Sequence, residues 1–142
     1  MAKWISRSVE DTAKFARDLA KVAKPGDVIY LEGNLGAGKT VFAKYFCAEL
    51  GYEGFVHSPT YALVHSYENR PPIFHLDLYR LEEQGGFEEL GLDYYDLPSG
   101  ITLIEWPSNE LKGLLPPNYL IEIETIGEEE RLITLLKSSL SL

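Results

Sequence analysis

Cysteine, arginine and long apolar runs are all scarce in this chain of 142 residues. A single cysteine, Cys47, has no partner for an internal disulfide, and one thiol excludes a structural zinc site. No segment approaches the run of about 20 apolar residues that crosses a bilayer. The first residues also lack the apolar stretch of a signal peptide. We therefore expect one cytoplasmic domain, residues 1–142, with no membrane partner.

Basic residues are outnumbered: 13 Lys and Arg stand against 22 Asp and Glu, giving a formal net charge of −9. Affinity for nucleic acid comes largely from Lys and Arg contacts with phosphates. A chain this acidic is a poor candidate for holding RNA or DNA unaided, so we expect any such role to go through a more basic partner. The acidic balance is equally typical of an ordinary solvated surface. Cys47 lies in an apolar helical run and is expected to be a small core residue.

Apolar periodicity predicts one mixed α/β domain. Ser8, with Asp11 three residues later, has the spacing of a helix N-cap. The continuous apolar run at 28–31 is typical of a parallel strand buried on both faces. Helices are predicted at 8–23, 39–50 and 82–90, and strands at 28–31, 61–67, 73–79, 101–104, 119–126 and 131–136. The strands at 61–67 and 73–79, joined by a proline-rich turn, are predicted to pair antiparallel.

A phosphate-binding loop lies between the first buried strand and the helix at 39–50. The pattern G-x-x-x-x-G-K-[ST] is met by Gly33, Asn34, Leu35, Gly36, Ala37, Gly38, Lys39 and Thr40. Glycines allow the backbone N–H groups to face phosphates, and the following helix directs its positive N-terminus at the same anion. Lys39 is expected to reach the β- and γ-phosphates and Thr40 to ligate Mg²⁺. A flexible glycine turn would explain the glycines but not Lys39 and Thr40.

Two carboxylates are candidates for the hydrolytic chemistry that a phosphate loop alone does not supply. Asp77 and Glu105 each end an apolar run, as acidic residues beside bound Mg²⁺ do in P-loop proteins. Glu105 could instead be a solvated residue at a strand end, and Asp77 could point outward if its strand continues to residue 79. Thr60 lies in the loop after the P-loop helix, where nucleotide switches place a threonine that senses the γ-phosphate. Its neighbours are also ordinary turn residues.

The nucleotide is expected to be ATP. No Asn/Thr-Lys-x-Asp motif for guanine is present, and Asp77 is not followed by the Asp-x-x-Gly pattern of GTPases. A stand-alone kinase of a small metabolite is the alternative, but it would need a basic lid, and the five arginines form no cluster. A nucleotide-gated binding module that hydrolyses little is a further alternative. Adenine contacts have no motif; residues near the first helix and Arg131 are the candidates.

Four motifs in this order resemble the TsaE (YjeE) family of bacterial ATPases, over roughly residues 8–135. They are Gly33–Thr40, Ser58-Pro-Thr-Tyr61, His75-Leu-Asp-Leu-Tyr-Arg-Leu81 and Leu103-Ile-Glu-Trp-Pro107. The resemblance implies a P-loop NTPase-type three-layer fold, with a largely parallel central sheet and some antiparallel strands. It also implies slow, Mg²⁺-dependent ATP hydrolysis in the threonylcarbamoyladenosine modification of tRNA. The partners it implies are the threonylcarbamoyl-transferase subunit (TsaD) and its paralogue (TsaB), with tRNA met only through them.

The resemblance also implies roles for individual residues. Lys39 and Thr40 match the phosphate and Mg²⁺ residues, Asp77 an aspartate near the γ-phosphate, and Glu105 a glutamate on the metal side. Thr60 falls in the switch-like loop, and Trp106 matches a family tryptophan, although a core position is the commoner place for a tryptophan. The family often has Asp where Asn34 stands and a second Thr where Val41 stands; we expect nucleotide binding to survive both differences.

Overall fold

The computed structural model describes residues 2–34, 36–54, 56, 64–79, 91–107 and 109–138. Its strands are β1 (Ala2–Ser6), β2 (Val28–Glu32), β3 (Val64–Tyr67), β4 (Ile73–Asp77), β5 (Ile101–Glu105), β6 (Tyr119–Thr125) and β7 (Arg131–Ser138). Its helices are α1 (Val9–Val22), α2 (Lys39–Glu49) and α3 (Asn109–Leu114), with 3₁₀ turns at Leu92–Tyr94 and Leu97–Ser99.

All seven strands belong to one sheet, in the order β1-β7-β6-β2-β5-β4-β3. The four central strands β6, β2, β5 and β4 run parallel, while β3, β7 and β1 are antiparallel additions at the two edges. The predicted fold class, with its largely parallel sheet and some antiparallel strands, is therefore confirmed. Because β2 is flanked on both sides by parallel strands, its carboxyl end opens at the middle of the sheet, where α/β proteins bind ligands.

Side chains alternate between the two faces of the central strands, as a sheet buried on both sides requires. Ile29 and Leu31 of β2 pack toward α1 and α2 in the larger apolar cluster. Val28 and Tyr30 face the other cluster, which includes Leu111 of α3. The result is three layers, with α1 and α2 on the face that also carries the phosphate loop.

Most of the predicted elements are confirmed. Ser8 caps α1, since its Oγ accepts from the Asp11 N–H at 3.2 Å. Gly51, at φ 103°, follows the end of α2, where the left-handed conformation favours glycine. β4 ends earlier than predicted, because Tyr79 N–H donates to Asp77 Oδ1 at 3.0 Å and turns the chain. Residues 61–63 and the predicted helix at 82–90 lie outside the described residues.

Two elements, β1 and α3, were not predicted from the sequence. β1 is an edge strand whose Trp4 and Ile5 are both about half exposed, so it lacks the strict alternation of buried and exposed positions. α3 has only six residues and one buried apolar anchor, Leu111. Cys47 is fully buried, and burial raises its pKa to about 12, which confirms it as an inert core residue. Within the described ranges, no helix has the length and apolar character needed to span a bilayer.

Candidate nucleotide-phosphate site

The phosphate loop leaves the carboxyl end of β2 and enters α2 at Lys39. Gly38 caps α2 in the left-handed region at φ 104°, and a Cβ there or at Gly36 would meet no atom within 4 Å. At Gly33 (φ 155°), a Cβ would overlap the carbonyl oxygen of Ile123 on β6. Gly33 is thus needed for close packing against the sheet, whereas Gly36 and Gly38 are needed for their positive φ and border open space. An open cradle of backbone groups at a helix N-terminus suits an anion.

Lys39 is buried at the centre of this loop, with 5% of its surface exposed. Its Nζ lies 3.6 Å from the centroid of the Trp106 ring and has no hydrogen-bond acceptor in the described part of the chain. Burial lowers the pKa of Lys39, while the negative charges of Glu105 and Asp77 act in the opposite direction. A buried ammonium without an acceptor is costly unless a ligand supplies one. The geometry therefore fits an incoming phosphate.

Asp77 and Glu105 lie side by side. They are register partners at the carboxyl ends of adjacent parallel strands β4 and β5. Glu105 is two residues after Leu103 and Asp77 is four residues after Ile73, and both of these apolar residues belong to the α2-facing cluster. Because every second residue of a strand points to the same face, both carboxylates lie on the face that carries Lys39. Glu105 is 3% exposed, so the alternative of a solvated strand-end glutamate is wrong. Burial is the main cause that raises the pKa of Asp77; Glu105 adds to it, while the Tyr79 N–H, Lys39 and His75 oppose it.

A buried histidine joins Glu105 to the core. His75 is fully buried in β4, and its Nε2 lies 2.5 Å from Glu105 Oε2. Its Nδ1 lies 3.0 Å from the hydroxyl of Tyr67 on β3. In the sequence, His75 was noted only as part of a family motif and was not connected with the site. The available signal was its position two residues before Asp77 on one strand, which places both on the same face.

Trp106 follows Glu105 at a positive φ of 55°. A residue other than glycine in this region costs about 1–3 kcal/mol, and such strain is concentrated at functional sites. The ring is partly exposed rather than buried in the core, and it lies against Tyr79 with centroids 4.8 Å apart. The commoner expectation of a core tryptophan is therefore wrong. Trp106 instead forms the wall against which the Lys39 ammonium rests.

Arg131 reaches the phosphate loop from the start of β7. Its Nε donates to the carbonyl oxygen of Ala37 at 3.1 Å, and Nη1 donates to the carbonyl oxygens of Gly127 and Glu130 at 3.2 and 2.9 Å. The guanidinium thus fastens the loop to the β6–β7 turn. It also borders a cavity of about 230 Å³ beside Gly38. The other lining residues are Ser8, Val9, Thr12, Val41, Glu128 and Glu129.

The remaining predicted residues have separate outcomes. Thr40 is exposed in the first turn of α2, beside Lys39. Asn34 is also exposed, and its carbonyl oxygen accepts from the Ala37 N–H at 3.0 Å within the loop. Leu35 and Thr60 lie outside the described residues. Among the residues that are described, no three His, Cys, Asp or Glu side chains form a cluster able to hold a metal by themselves.

Comparison with known proteins identifies the family. The model of the family "Threonylcarbamoyl adenosine biosynthesis protein TsaE" matches residues 6–133. The tRNA threonylcarbamoyladenosine biosynthesis protein TsaE of Bacillus subtilis is 42% identical over 134 residues, covering 93% of this chain and 83% of that protein. The protein of the same name from Treponema pallidum is 32% identical over 130 residues, covering 92% and 96%.

A solved structure agrees with these sequence matches. The crystal structure of Bacillus subtilis YdiB superimposes with a TM-score of 0.74 at 37% identity, covering 94% of this chain and 83% of that chain. The chain thus matches the family along most of its length. The matched part includes the glycine-rich loop, the buried lysine and the two carboxylates at the strand ends. The chain belongs to the TsaE family.

Proposed function

We propose that this protein is a Mg²⁺-dependent ATPase that binds ATP at residues 33–40, hydrolyses it slowly, and acts in the threonylcarbamoylation of adenosine in tRNA. The observation that carries the ATP-binding part is the Lys39 ammonium, which is buried at the end of the glycine loop, lacks an acceptor in the described part of the chain and feels the charges of two carboxylates. The role in tRNA modification rests on the family and on the names of its relatives. The protein works in the cytoplasm.

The donors near Lys39 fit Mg²⁺, which prefers oxygen ligands and is commonly held by one or two carboxylates together with substrate phosphates. Thr40 and Glu105 would hold the ion, and Asp77 would lie near the γ-phosphate. When bound, Mg²⁺ would neutralise charge on the phosphates. Lys39 would leave Trp106 to contact the β- and γ-phosphates.

The cavity beside Gly38 is proposed as the place of the nucleoside. It adjoins the cradle at Gly38, and its volume of about 230 Å³ lies below the roughly 300–1,000 Å³ of common ligand pockets, so we place only the base and part of the sugar there. Arg131 would contribute indirectly, because its hydrogen bonds to Ala37 and the β6–β7 turn hold one side of this cavity in place. Val9 and Val41 would offer the apolar contact.

The partners proposed are TsaD and TsaB, with tRNA reached only through them. The net charge of −9 supports an indirect role, since an acidic surface repels the phosphate backbone. This protein would not transfer the threonylcarbamoyl group itself. Nucleotide binding and hydrolysis would reset the transferase complex between turnovers.

The test has a cellular and a biochemical arm. Cells depleted of the protein should lose threonylcarbamoyladenosine from their tRNA, and wild type should restore it whereas Lys39→Met should not. An unchanged level of the modified nucleoside on depletion would refute the role. Purified protein should release ADP from ATP slowly, and faster with TsaD and TsaB. Stimulation by a small metabolite instead of by these subunits would identify a kinase.

A further inference from the structure

Three buried polar side chains form a continuous hydrogen-bonded chain beneath the phosphate site. Tyr67, His75 and Glu105 come from the adjacent strands β3, β4 and β5, and each is at most 5% exposed. The Tyr67 hydroxyl lies 3.0 Å from His75 Nδ1, and His75 Nε2 lies 2.5 Å from Glu105 Oε2. We refer to these three residues as the relay. Such a chain inside the apolar cluster under α2 needs an explanation, because buried polar groups cost free energy when any of them loses its partner.

Hydrogen-bond chemistry assigns a role to each atom of the relay. An ionised carboxylate only accepts, so His75 Nε2 must carry the proton that bonds to Glu105 Oε2. In the neutral imidazole, Nδ1 then accepts, and the donor is the Tyr67 hydroxyl. The ring of Tyr67 is held in turn by stacking on Tyr52, with centroids 4.7 Å apart. For a neutral imidazole, only one tautomer satisfies both contacts, and the two contacts together hold the ring in one orientation.

The relay ends on the carboxylate that faces the cradle. The negative charge of Glu105 acts on Lys39 in the direction that raises its pKa, against the larger effect of burial, which lowers it. His75 is hydrogen-bonded to one of the two carboxylate oxygens of Glu105 and so limits rotation of the carboxylate group. If His75 only filled space in the core, an apolar side chain would fill the same space without needing two hydrogen-bond partners. Its hydrogen bond to a carboxylate of the site therefore indicates a role beyond packing.

We propose that His75, oriented by Tyr67, is a positioning residue that fixes the carboxylate of Glu105 for Mg²⁺ binding and ATP hydrolysis. The inference rests on the proposed ATPase function and assigns two residues to it. Groups that orient a ligating side chain typically contribute 10- to 100-fold to metal affinity or activity. His75 and Tyr67 would act through Glu105 rather than by contact with the nucleotide or the metal.

A pair of substitutions at residue 75 separates this role from simple packing. The amide nitrogen of Gln lies at about the distance of imidazole Nε2 along the side chain, whereas that of Asn lies at about the distance of Nδ1. His75→Gln can therefore still donate to Glu105, and His75→Asn cannot. We expect His75→Asn to lower kcat at saturating ATP by roughly 10- to 100-fold, and His75→Gln to restore most of it.

The second readout is binding without turnover. ADP affinity measured with Mg²⁺ and then with a chelator gives the gain that the metal provides. His75→Asn should reduce this gain while leaving the affinity in chelator unchanged, because the relay contacts Glu105 and not the glycine loop. His75→Gln should keep the gain.

Tyr67→Phe has a matched control on the opposite face of the sheet. The buried Tyr30 donates its hydroxyl proton to the carbonyl oxygen of Leu115 at 2.5 Å, so Tyr30→Phe also removes one hydroxyl hydrogen bond. Both variants should lose stability to a similar degree in urea. Tyr67→Phe should in addition lower kcat, less than His75→Asn does, whereas Tyr30→Phe should not.

The outcomes separate the relay from the function on which it rests. If wild type binds no ATP, the proposed function fails. If wild type binds and hydrolyses ATP but His75→Asn keeps both its kcat and its Mg²⁺-dependent gain, the relay alone is refuted. Equal losses in His75→Asn and His75→Gln would also refute it, since packing would then explain both. If neither His75 variant folds, Tyr67→Phe decides, and an unchanged kcat overturns the inference.

Discussion

Lys39 provides the sharpest test of the site, because its charge should lower the stability of the free protein and yet be essential for binding ATP. Lys39→Met keeps an unbranched side chain as far as the position of lysine Cε and removes the ammonium. In the free protein the ammonium is buried, rests on Trp106 at 3.6 Å, and has no acceptor in the part of the chain described. The variant therefore changes one charge and little else.

The two effects of Lys39→Met have opposite signs. A charge-assisted hydrogen bond to phosphate contributes about 1.5–3 kcal/mol, so ATP affinity should fall roughly 10- to 150-fold. In the free protein, burial outweighs the attraction of the two carboxylates, since the pKa of Lys39 is lowered overall. The variant also loses a cation–π contact of about 0.5–2 kcal/mol but gains a sulfur–aromatic contact of about 0.3–1.5 kcal/mol. Its free energy of unfolding should therefore equal or exceed that of wild type.

Calorimetric titration with Mg-ATP and urea denaturation of the free protein measure the two effects. The matched control is Lys44→Met, because Lys44 is exposed on the same helix and lies 5.5 Å from the centroid of the Tyr45 ring. Removing that solvated charge should change neither quantity much. Unchanged ATP affinity in Lys39→Met would refute the cradle. A loss of stability above about 2 kcal/mol would refute the claim that the ammonium is unfavourably buried.

Three further predictions follow from the same geometry. Glu105→Gln should slow ATP hydrolysis by at least about 10-fold while changing ATP affinity much less, because metal and water placement matter most in the transition state; Glu32→Gln, at the end of β2, should leave the rate unchanged. Burial raises the pKa of Asp77 above its ordinary 3.8. Between the pKa of the unfolded state and the higher pKa of the native state, the native state therefore binds more protons than the unfolded state. The stability of wild type relative to Asp77→Asn, measured by denaturation from about pH 3 to pH 7, should therefore fall as pH rises and then level off, and a constant difference would contradict this. Trp4→Phe leaves Trp106, which lies against Lys39, as the tryptophan that reports on the site, so nucleotide should change its fluorescence. Trp106→Phe leaves only Trp4, and its fluorescence should not respond to nucleotide.

Local patterns determined much of the site. The glycines, Lys39 and Thr40 form a contiguous motif whose chemistry follows from residue type and spacing, and the strand before it and the helix after it were readable from apolar periodicity. Asp77 and Glu105 were found as acids at the ends of apolar runs. Such features depend on neighbours along the chain, which a sequence displays directly.

The edges of the fold were not readable from the sequence. β1 pairs with β7 at the far end of the chain, so the residues that hold it in the sheet are more than 120 positions away. Its exposed side chains give no alternation to detect. α3 is too short for a helical period to stand out, and it is held mainly by the burial of Leu111 against the sheet.

What only the tertiary structure decided is how the site residues contact one another. Parallel pairing of β4 with β5 places His75 against Glu105, although 30 positions separate them. Arg131 meets Ala37 across 94 positions, and the positive φ of Trp106 turns its ring beneath Lys39. The sequence by itself determined which groups could bind phosphate and metal, because that depends on side-chain type and local spacing. Their orientation depends on strand register and on burial, which arise only when the sheet assembles.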